Sequence, residues 1–396
     1  MVEGTLKRRI GLPLLTAYGV GVMVGAGIYV LVGAVVAQAG IWAPLAFVIA
    51  GLIAAPSALS YAELSTRIPE AAGEAAYIEK GLRSHLLSVF VGLGIVVAGT
   101  ISAAAVLRGG AGYLISVVDL PFDWVVITLG MTLTFVAAIG VLESLGLAAL
   151  FTAVELIGLI LVVWAGATAD PVTDWQSPAP PVWSGIGLAA VLAFFAFIGF
   201  EDIVNMAEEV ADPERTLPRA ILISLVVTLL IYAGVSLAAV RAVPREALAA
   251  SDRPLALVWE TATGRDATIL SLIAGVAALN GVLAQVVMAA RVLFGLGKRD
   301  ARLAIFHHAH PQLGTPVLAT CLLGGAVIAA ALSLPVAALA GLTSTVLLSV
   351  FILVNLSLIV LKRRTAEAPF RVPAWVPYAG VLASTGALAV SLGGAL

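Results

Sequence analysis

The sequence predicts an all-α polytopic membrane protein, on three observations. Of its 396 residues, 61% are hydrophobic and 11% charged. Mean hydropathy is +1.10. Apolar stretches long enough to cross a bilayer recur along the whole chain, with short polar links between them. A soluble protein of this size could not hide so much apolar surface in one core, whereas a spanning helix needs about 20 mostly apolar residues.

Eleven such spans are read in order, near 12–38, 41–64, 86–114, 124–142, 146–168, 184–207, 219–241, 267–294, 315–334, 336–361 and 374–395. The links are too short for a second domain, so residues 1–396 are read as one transmembrane domain. Of the 21 Lys and Arg, 16 fall on the side that holds the N-terminus, among them Lys7, Arg8, Arg9, Arg67, Lys80 and Lys362. Arg108, Arg241, Arg245, Arg253 and Arg265 fall on the other side. The positive-inside bias then puts the N-terminus in the cytoplasm and, with an odd span count, the C-terminus outside. Trp42, Trp124, Trp164, Trp175, Trp183 and Trp259 fall at the outer interface, where amphipathic rings anchor. The formal charge of −2 and the lack of a long basic run exclude a nucleic-acid partner. The lone Cys321 excludes an internal disulfide and is read as inert packing.

The first span is weakened at its middle. It reads GVMVGAGIYV over 21–30, with Gly21, Gly25 and Gly27 in one helix. Each interior glycine costs roughly 1 kcal/mol against alanine. Small residues that let helices approach are one explanation; a backbone that opens to bind a ligand is the other. If spans one to five and six to ten are two copies, their odd number forces opposite orientations, and span six should match span one. It reads LAFFAFIGFEDIVNMAEEV over 192–210. Glu201 and Asp202, two and three residues after Gly199, look like the start of a new half-helix, with Glu201 as its N-terminal cap. Paired interruptions in inverted halves mark transporter binding sites, because freed N–H groups take a carboxylate and freed carbonyls an ammonium.

On these motifs the chain resembles the amino acid–polyamine–organocation superfamily. Gly25-Ala26-Gly27-Ile28 is similar to its span-one signature, and Phe194–Asp202 with AEEVADPERTLPRAI (207–221) to its span six and following loop. SYAELSTRIPEAAGEAAYIEKG (60–81) and LNGVLAQVVMAARVLFGLGKRD (279–300) resemble its second and eighth spans. The resemblance implies the leucine-transporter fold, a 5+5 inverted repeat with discontinuous spans one and six. The repeats would be 12–168 and 184–361, with 374–395 as a peripheral helix 11. It implies a mobile bundle of spans one, two, six and seven against a scaffold of three, four, eight and nine. Many relatives have a twelfth span, whereas eleven are read here.

Carried over by motif, a substrate carboxylate would meet the backbone at Gly25, Ala26 and Gly27. The ammonium would meet carbonyls near Met23, Val24, Phe195, Ala196 and Ile198, with Gly199 at the turn. Phe195 sits where some relatives place an aromatic over the substrate; Phe197 and Phe200 are the alternates. Span three, VGLGIVVAGTISAAAV (91–106), has no acid to pair a basic side chain, so small or medium neutral amino acids are expected. Asn280 is a pocket candidate, while Gln285 and Asn355 can hydrogen-bond across helices.

Two carboxylates are read as coupling residues. Glu201 stands where some relatives have a pH-responsive glutamate. Glu155 is a lone ionisable group in the apolar FTAVELIGLILVVW (151–164), expensive at membrane depth and so a functional candidate. It falls where some proton-linked relatives carry a lysine, and span eight shows no adjacent Ser/Thr pair to hold sodium. Protons are therefore the expected coupling ion. His307, His308 and His310 read as a solvated loop, not a metal site. Arg215–Arg219 reads as a helix start with Pro218 in its first turn. No phosphate loop and no convergent catalytic set are present, so no cofactor, metal or enzymatic activity is expected. The expectation is a secondary-active amino acid transporter of the plasma membrane, proton-linked. An exchanger or a polyamine or organic-cation carrier of the same fold are the alternatives. The oligomeric state is not legible.

Overall fold

The computed structural model describes residues 10–25, 27–69, 73–115, 120–140, 145–207, 209–365 and 367–393. Ala26 and the Lys7–Arg9 cluster lie outside them. The described chain is helical almost throughout. In order the helices are α1 (Leu12–Val24), α2 (Gly27–Ala39), α3 (Ala43–Arg67), α4 (Gly73–Leu82), α5 (His85–Leu114), α6 (Phe122–Ile139), α7 (Leu145–Thr168) and α8 (Thr173–Gln176). They continue with α9 (Trp183–Phe194), α10 (Pro213–Ala242), α11 (Arg245–Ala250), α12 (Pro254–Thr263), α13 (Thr268–Arg299), α14 (Val317–Ser333), α15 (Val336–Arg364) and α16 (Trp375–Gly393). Nine helical runs among the described residues are long and apolar enough to cross a membrane, and α1 and α14 are shorter apolar helices. This is a multi-pass, all-α membrane protein.

Local chemistry sets most boundaries. The Ser84 hydroxyl accepts the Leu87 N–H at 3.3 Å and caps α5. Pro13, Pro44, Pro213 and Pro254 stand at the first positions of α1, α3, α10 and α12, where a missing N–H costs nothing. Helix α10 therefore starts at Pro213, earlier than the sequence suggests, and Pro218 lies inside it. The links also hold more structure than expected: α4, α8, α11 and α12 are short helices too polar or too brief to register as spans. Cys321 is exposed on α14, not packed.

The packing separates two groups. Helices α1 and α3 pack on α10, and α2 and α3 on α9; α5 packs on α13 and α6, and α14 on both α5 and α6. Buried polar groups join the elements. Asn355 of α15 accepts from Ser60 at 2.6 Å and donates to Ser57 at 2.9 Å, both on α3. Glu63, fully buried on α3, is paired with Arg67 at 2.7 Å and with Lys362 of α15 at 2.6 Å. Its Oε2 also accepts the Val372 N–H at 2.8 Å. With both oxygens satisfied, this buried charge is compensated, and removing either cation would cost about 3–5 kcal/mol.

Candidate functional site

Both predicted interruptions are present, and they differ in form. Helix α1 ends at Val24; Gly25, at φ 29° and ψ −149°, caps it by donating to the Gly21 carbonyl at 2.9 Å. The helix resumes at Gly27. In the second region α9 stops at Phe194 and Phe195–Phe197 tighten into a 3-10 turn. Ile198 is extended and Gly199 has φ 124°. The segment Asp202–Met206 is again 3-10, and no α-helix resumes before Pro213. The expected new α half-helix at Glu201–Asp202 is therefore not formed. Nor is Glu201 its side-chain cap: the Oε2 accepts the Gly199 N–H at 2.9 Å, behind it in the chain. The reason is local, since Gly199 turns its own N–H back toward the carboxylate.

The two broken regions are fastened together. At their base Ile10 donates to the Glu209 carbonyl and accepts from the Ala211 N–H, each at 3.1 Å. A Cβ on Gly27 would stand 3.4 Å from the Ala196 Cα, and one on Gly199 2.8 Å from Val22. A methyl on Gly27 would make ordinary contact, whereas at Gly199, with its positive φ, glycine is what lets the two backbones meet. Tyr232 of α10 completes the join. Its hydroxyl lies 2.6 Å from the Met23 carbonyl and 2.8 Å from that of Ala196, with Val24 at 3.5 Å. One O–H donates one proton, so the hydroxyl serves one of these carbonyls at a time. Three of the carbonyls that the sequence assigned to a ligand ammonium thus already face a protein donor. Tyr232 was missed because nothing around it in LLIYAGVS distinguishes a bridging tyrosine from a packed one.

A cavity of about 70 Å³ lies beside the junction. One water occupies about 10–15 Å³, so the space has room for more than a single water. Of the predicted residues, Met23, Gly25, Gly27, Phe195, Ile198 and Asn280 line it. Ser102 and Val106 of α5, Thr152 of α7, Gln285 of α13 and Tyr18, Gly21 and Val22 of α1 line it too. No Asp, Glu, Lys, Arg or His is among the described lining residues. Val24, Ala196, Phe197 and Gly199 are buried beside the cavity but do not line it. Of the three phenylalanines, only Phe195 reaches it. Phe197 packs edge-on to Tyr232 at 5.1 Å, and Phe200 packs on Tyr61 at 5.6 Å. Gln285 bonds to no neighbouring helix among the described residues, contrary to expectation, but lines the cavity.

Glu155 does not line the cavity; it stands behind Asn280. Fully buried on α7, its Oε1 accepts from the Asn280 amide at 3.5 Å, and Oε2 has no partner among the described residues. The Tyr29 hydroxyl of α2 donates to its backbone carbonyl at 2.9 Å, and Tyr113 of α5 donates to the Tyr29 carbonyl at 2.7 Å. The half-helix after the first break is thereby tied to α5 and α7. Glu201 and Asp202 are both buried next to Gly199. The α4 residue Glu74, outside the spanning helices, is buried against Tyr61, whose hydroxyl donates to it at 3.2 Å. Burial pushes its carboxyl up to about 7, against the opposing hydrogen bonds. Among the described residues no cluster has the make-up of a metal site. His307 stacks on Phe294 at 4.4 Å, and His310 accepts from the Gln312 N–H at 3.3 Å.

Residues 10–393 match the amino acid permease family. The branched-chain amino acid permease BcaP of Bacillus subtilis (strain 168) is 28% identical over 390 residues, covering 93% of this chain and 83% of its own. The methylthioribose transporter of the same organism is 27% identical over 406 residues, with 96% and 87% covered. Cationic amino acid transporter 9, chloroplastic, of Arabidopsis thaliana is 30% identical over 331 residues, 78% of this chain. The match spans 58% of that plant protein's length.

Proposed function

The chain belongs to the amino acid permease family and is a membrane transporter, not an enzyme; we propose that it carries small or medium neutral amino acids by proton-linked alternating access. The observation behind this reading is a cavity of about 70 Å³, with no charged residue among its described lining, set against both broken helices. Freed N–H groups at the first break suit a carboxylate. The carbonyls of Met23 and Ala196 each keep a second lone pair for an ammonium beyond the one facing Tyr232. Among the relatives, the branched-chain permease supports a neutral substrate and the plant transporters a cationic one. A lining without an acid favours the former, since a buried basic side chain would lack a partner.

In this reading the chain has eleven spans built as a five-plus-five inverted repeat, in a plasma membrane with the N-terminus inside. The joined segments of spans one and six move with α3 and α10 against α5, α6, α13 and α14. Glu155 carries the coupling proton: a buried carboxylate with a partnerless oxygen is costly as an anion, and a proton removes that charge. Glu201, at the second break, is the other coupling residue. An exchanger of the same fold is the second reading.

Uptake into proteoliposomes under imposed pH or sodium gradients tests both. An inward proton gradient should drive accumulation without sodium. Glu155→Gln should retain exchange and lose pH-driven accumulation. Unchanged accumulation in that variant would remove Glu155 from coupling. Strict sodium dependence would replace the proton.

A further inference from the structure

Two polar side chains face the cavity with no protein partner. Ser102 on α5 and Gln285 on α13 are each more than nine-tenths buried, at 5% and 7% exposure, and both line the space. No hydrogen bond joins either to another described side chain or backbone group. Asn280, one turn and a half earlier on α13, is different, because its amide is engaged by Glu155 at 3.5 Å.

The two groups belong to the crossing of α5 and α13, which pack closely along their length. Gly99, Ser102 and Val106 follow i, i+3, i+7 spacing and so share one face of α5. That face meets Gln285: a Cβ on Gly99 would stand 3.2 Å from the Gln285 Oε1. The glycine therefore leaves room for the amide. Ser102 is the next residue along the face, and Val106 follows it into the cavity wall. A glutamine offers two donors and two acceptor sites, and a serine hydroxyl one donor and two acceptors. Polar groups held this way in a low-dielectric site are costly unless a ligand or water satisfies them. The breaks lie on other elements lining the same cavity, α1, α2 and the turn after α9, so the polar pair is separate from the backbone groups that the transport reading assigns to a carboxylate and an ammonium.

We propose that Ser102 and Gln285 form a subsite for an uncharged hydrogen-bonding substrate side chain, an amide or a hydroxyl. This rests on the transport function proposed above and narrows it: serine, threonine, asparagine and glutamine are the substrate class, and aliphatic amino acids of the same size are disfavoured. A site built to hydrogen-bond a polar group discriminates against the isostere that lacks it, because its own groups are then left unpaired.

The test uses isosteric pairs. Uptake of labelled threonine against valine, and asparagine against leucine, is measured in proteoliposomes holding the full chain. The polar member of each pair should be preferred about tenfold, the worth of one or two neutral hydrogen bonds. Gln285→Leu should bring the asparagine-to-leucine ratio to about unity or below, and Ser102→Ala should lower the threonine-to-valine ratio. Gly99→Ala removes no polar atom but presses on the Gln285 amide, and should lower the asparagine preference by a smaller factor. Monodispersity and thermal unfolding of each variant show that it is folded. Equal uptake within both pairs in the parent overturns the subsite while leaving amino acid transport standing. So do ratios unchanged in the folded Gln285→Leu and Ser102→Ala proteins, the outcome expected if ordered water alone satisfies the two groups. Failure of every amino acid to enter overturns the transport reading and the subsite together.

Discussion

The two helix breaks solve one problem with different chemistry. At the first, a single glycine in a positive-φ conformation interrupts a helix that resumes two residues later, and no charged residue stands nearby in the chain. At the second, a 3-10 turn, an extended residue, a glycine at φ 124° and a further 3-10 turn replace α-helix altogether, with Glu201 and Asp202 buried within it. A short break keeps nearly all backbone groups in helical hydrogen bonds and frees only a few for a ligand. A long break must satisfy its groups by other means, and here a carboxylate and a tyrosine hydroxyl do so. The difference teaches that the second break is a joint held by the Glu201 carboxylate, with Tyr232 tying the two breaks together, while the first is the docking point of the proposed transport.

The largest effect that would break this contrast is at Gly199. Its φ of 124° strains any L residue, and a Cβ would stand 2.8 Å from Val22 and 3.1 Å from the Met23 backbone nitrogen. Gly199→Ala should cost upwards of about 3 kcal/mol, strain plus overpacking. Thermal unfolding in detergent measures it; an unshifted transition would mean that the joint is not held by this contact.

Next comes pH, which should act through the acidic second region and not the first. Glu74 lies within electrostatic reach of Asp202 and Glu201, and its carboxyl sits near 7 when folded against 4.5 when exposed. The folded state thus binds its proton more tightly. That contribution is fully present below about pH 4.5 and is lost as pH rises through 7, on the order of 3 kcal/mol in all. Unfolding followed between pH 5 and pH 8 should show falling stability in the parent and a flatter profile in Glu74→Gln. Identical slopes would rule Glu74 out as the source.

A smaller effect belongs to Tyr232, which spans both breaks. Tyr232→Phe keeps the ring packing on Phe47 and Phe197 and removes the hydroxyl that serves one or the other of two buried carbonyls, at a cost of about 1–3 kcal/mol. Uptake kinetics should change more than expression, with weaker apparent affinity. Unaltered uptake would show that the two breaks do not depend on this bridge.

The smallest effect is expected at Gly25, where a Cβ would meet nothing closer than 3.5 Å and only the positive φ resists it. Gly25→Ala should cost about 1–2 kcal/mol. It should leave a monodisperse protein with impaired substrate uptake. A loss as severe as that of Gly199→Ala would erase the distinction between docking point and joint.

Much of this was legible in the sequence. Apolar length placed long helices such as α5, read at 86–114 and found at His85–Leu114, and α7, read at 146–168 and found at Leu145–Thr168, because crossing a bilayer is a requirement on composition alone. The glycines at 21, 25 and 27 marked the first break, and Gly199 followed by two acids marked the second, since helix propensity is a local property. The extent of the second break was not legible, because Glu201 as a cap and Glu201 as a partner to the preceding Gly199 N–H have the same sequence. Facing was the hardest to read. A membrane helix such as α13 carries apolar residues on every side among its few polar ones, so hydrophobic periodicity alone does not say which face meets which neighbour. That Asn280 reaches Glu155 while Gln285 turns to the cavity, and that Tyr232 bridges Met23 and Ala196 from 36 and more residues away, are decided only when the helices pack. The chain sequence determined that there would be a membrane bundle with two openings. Tertiary packing decided what faces them, because contacts between elements distant in sequence depend on the rotation of each helix about its axis, which a mostly apolar surface leaves free.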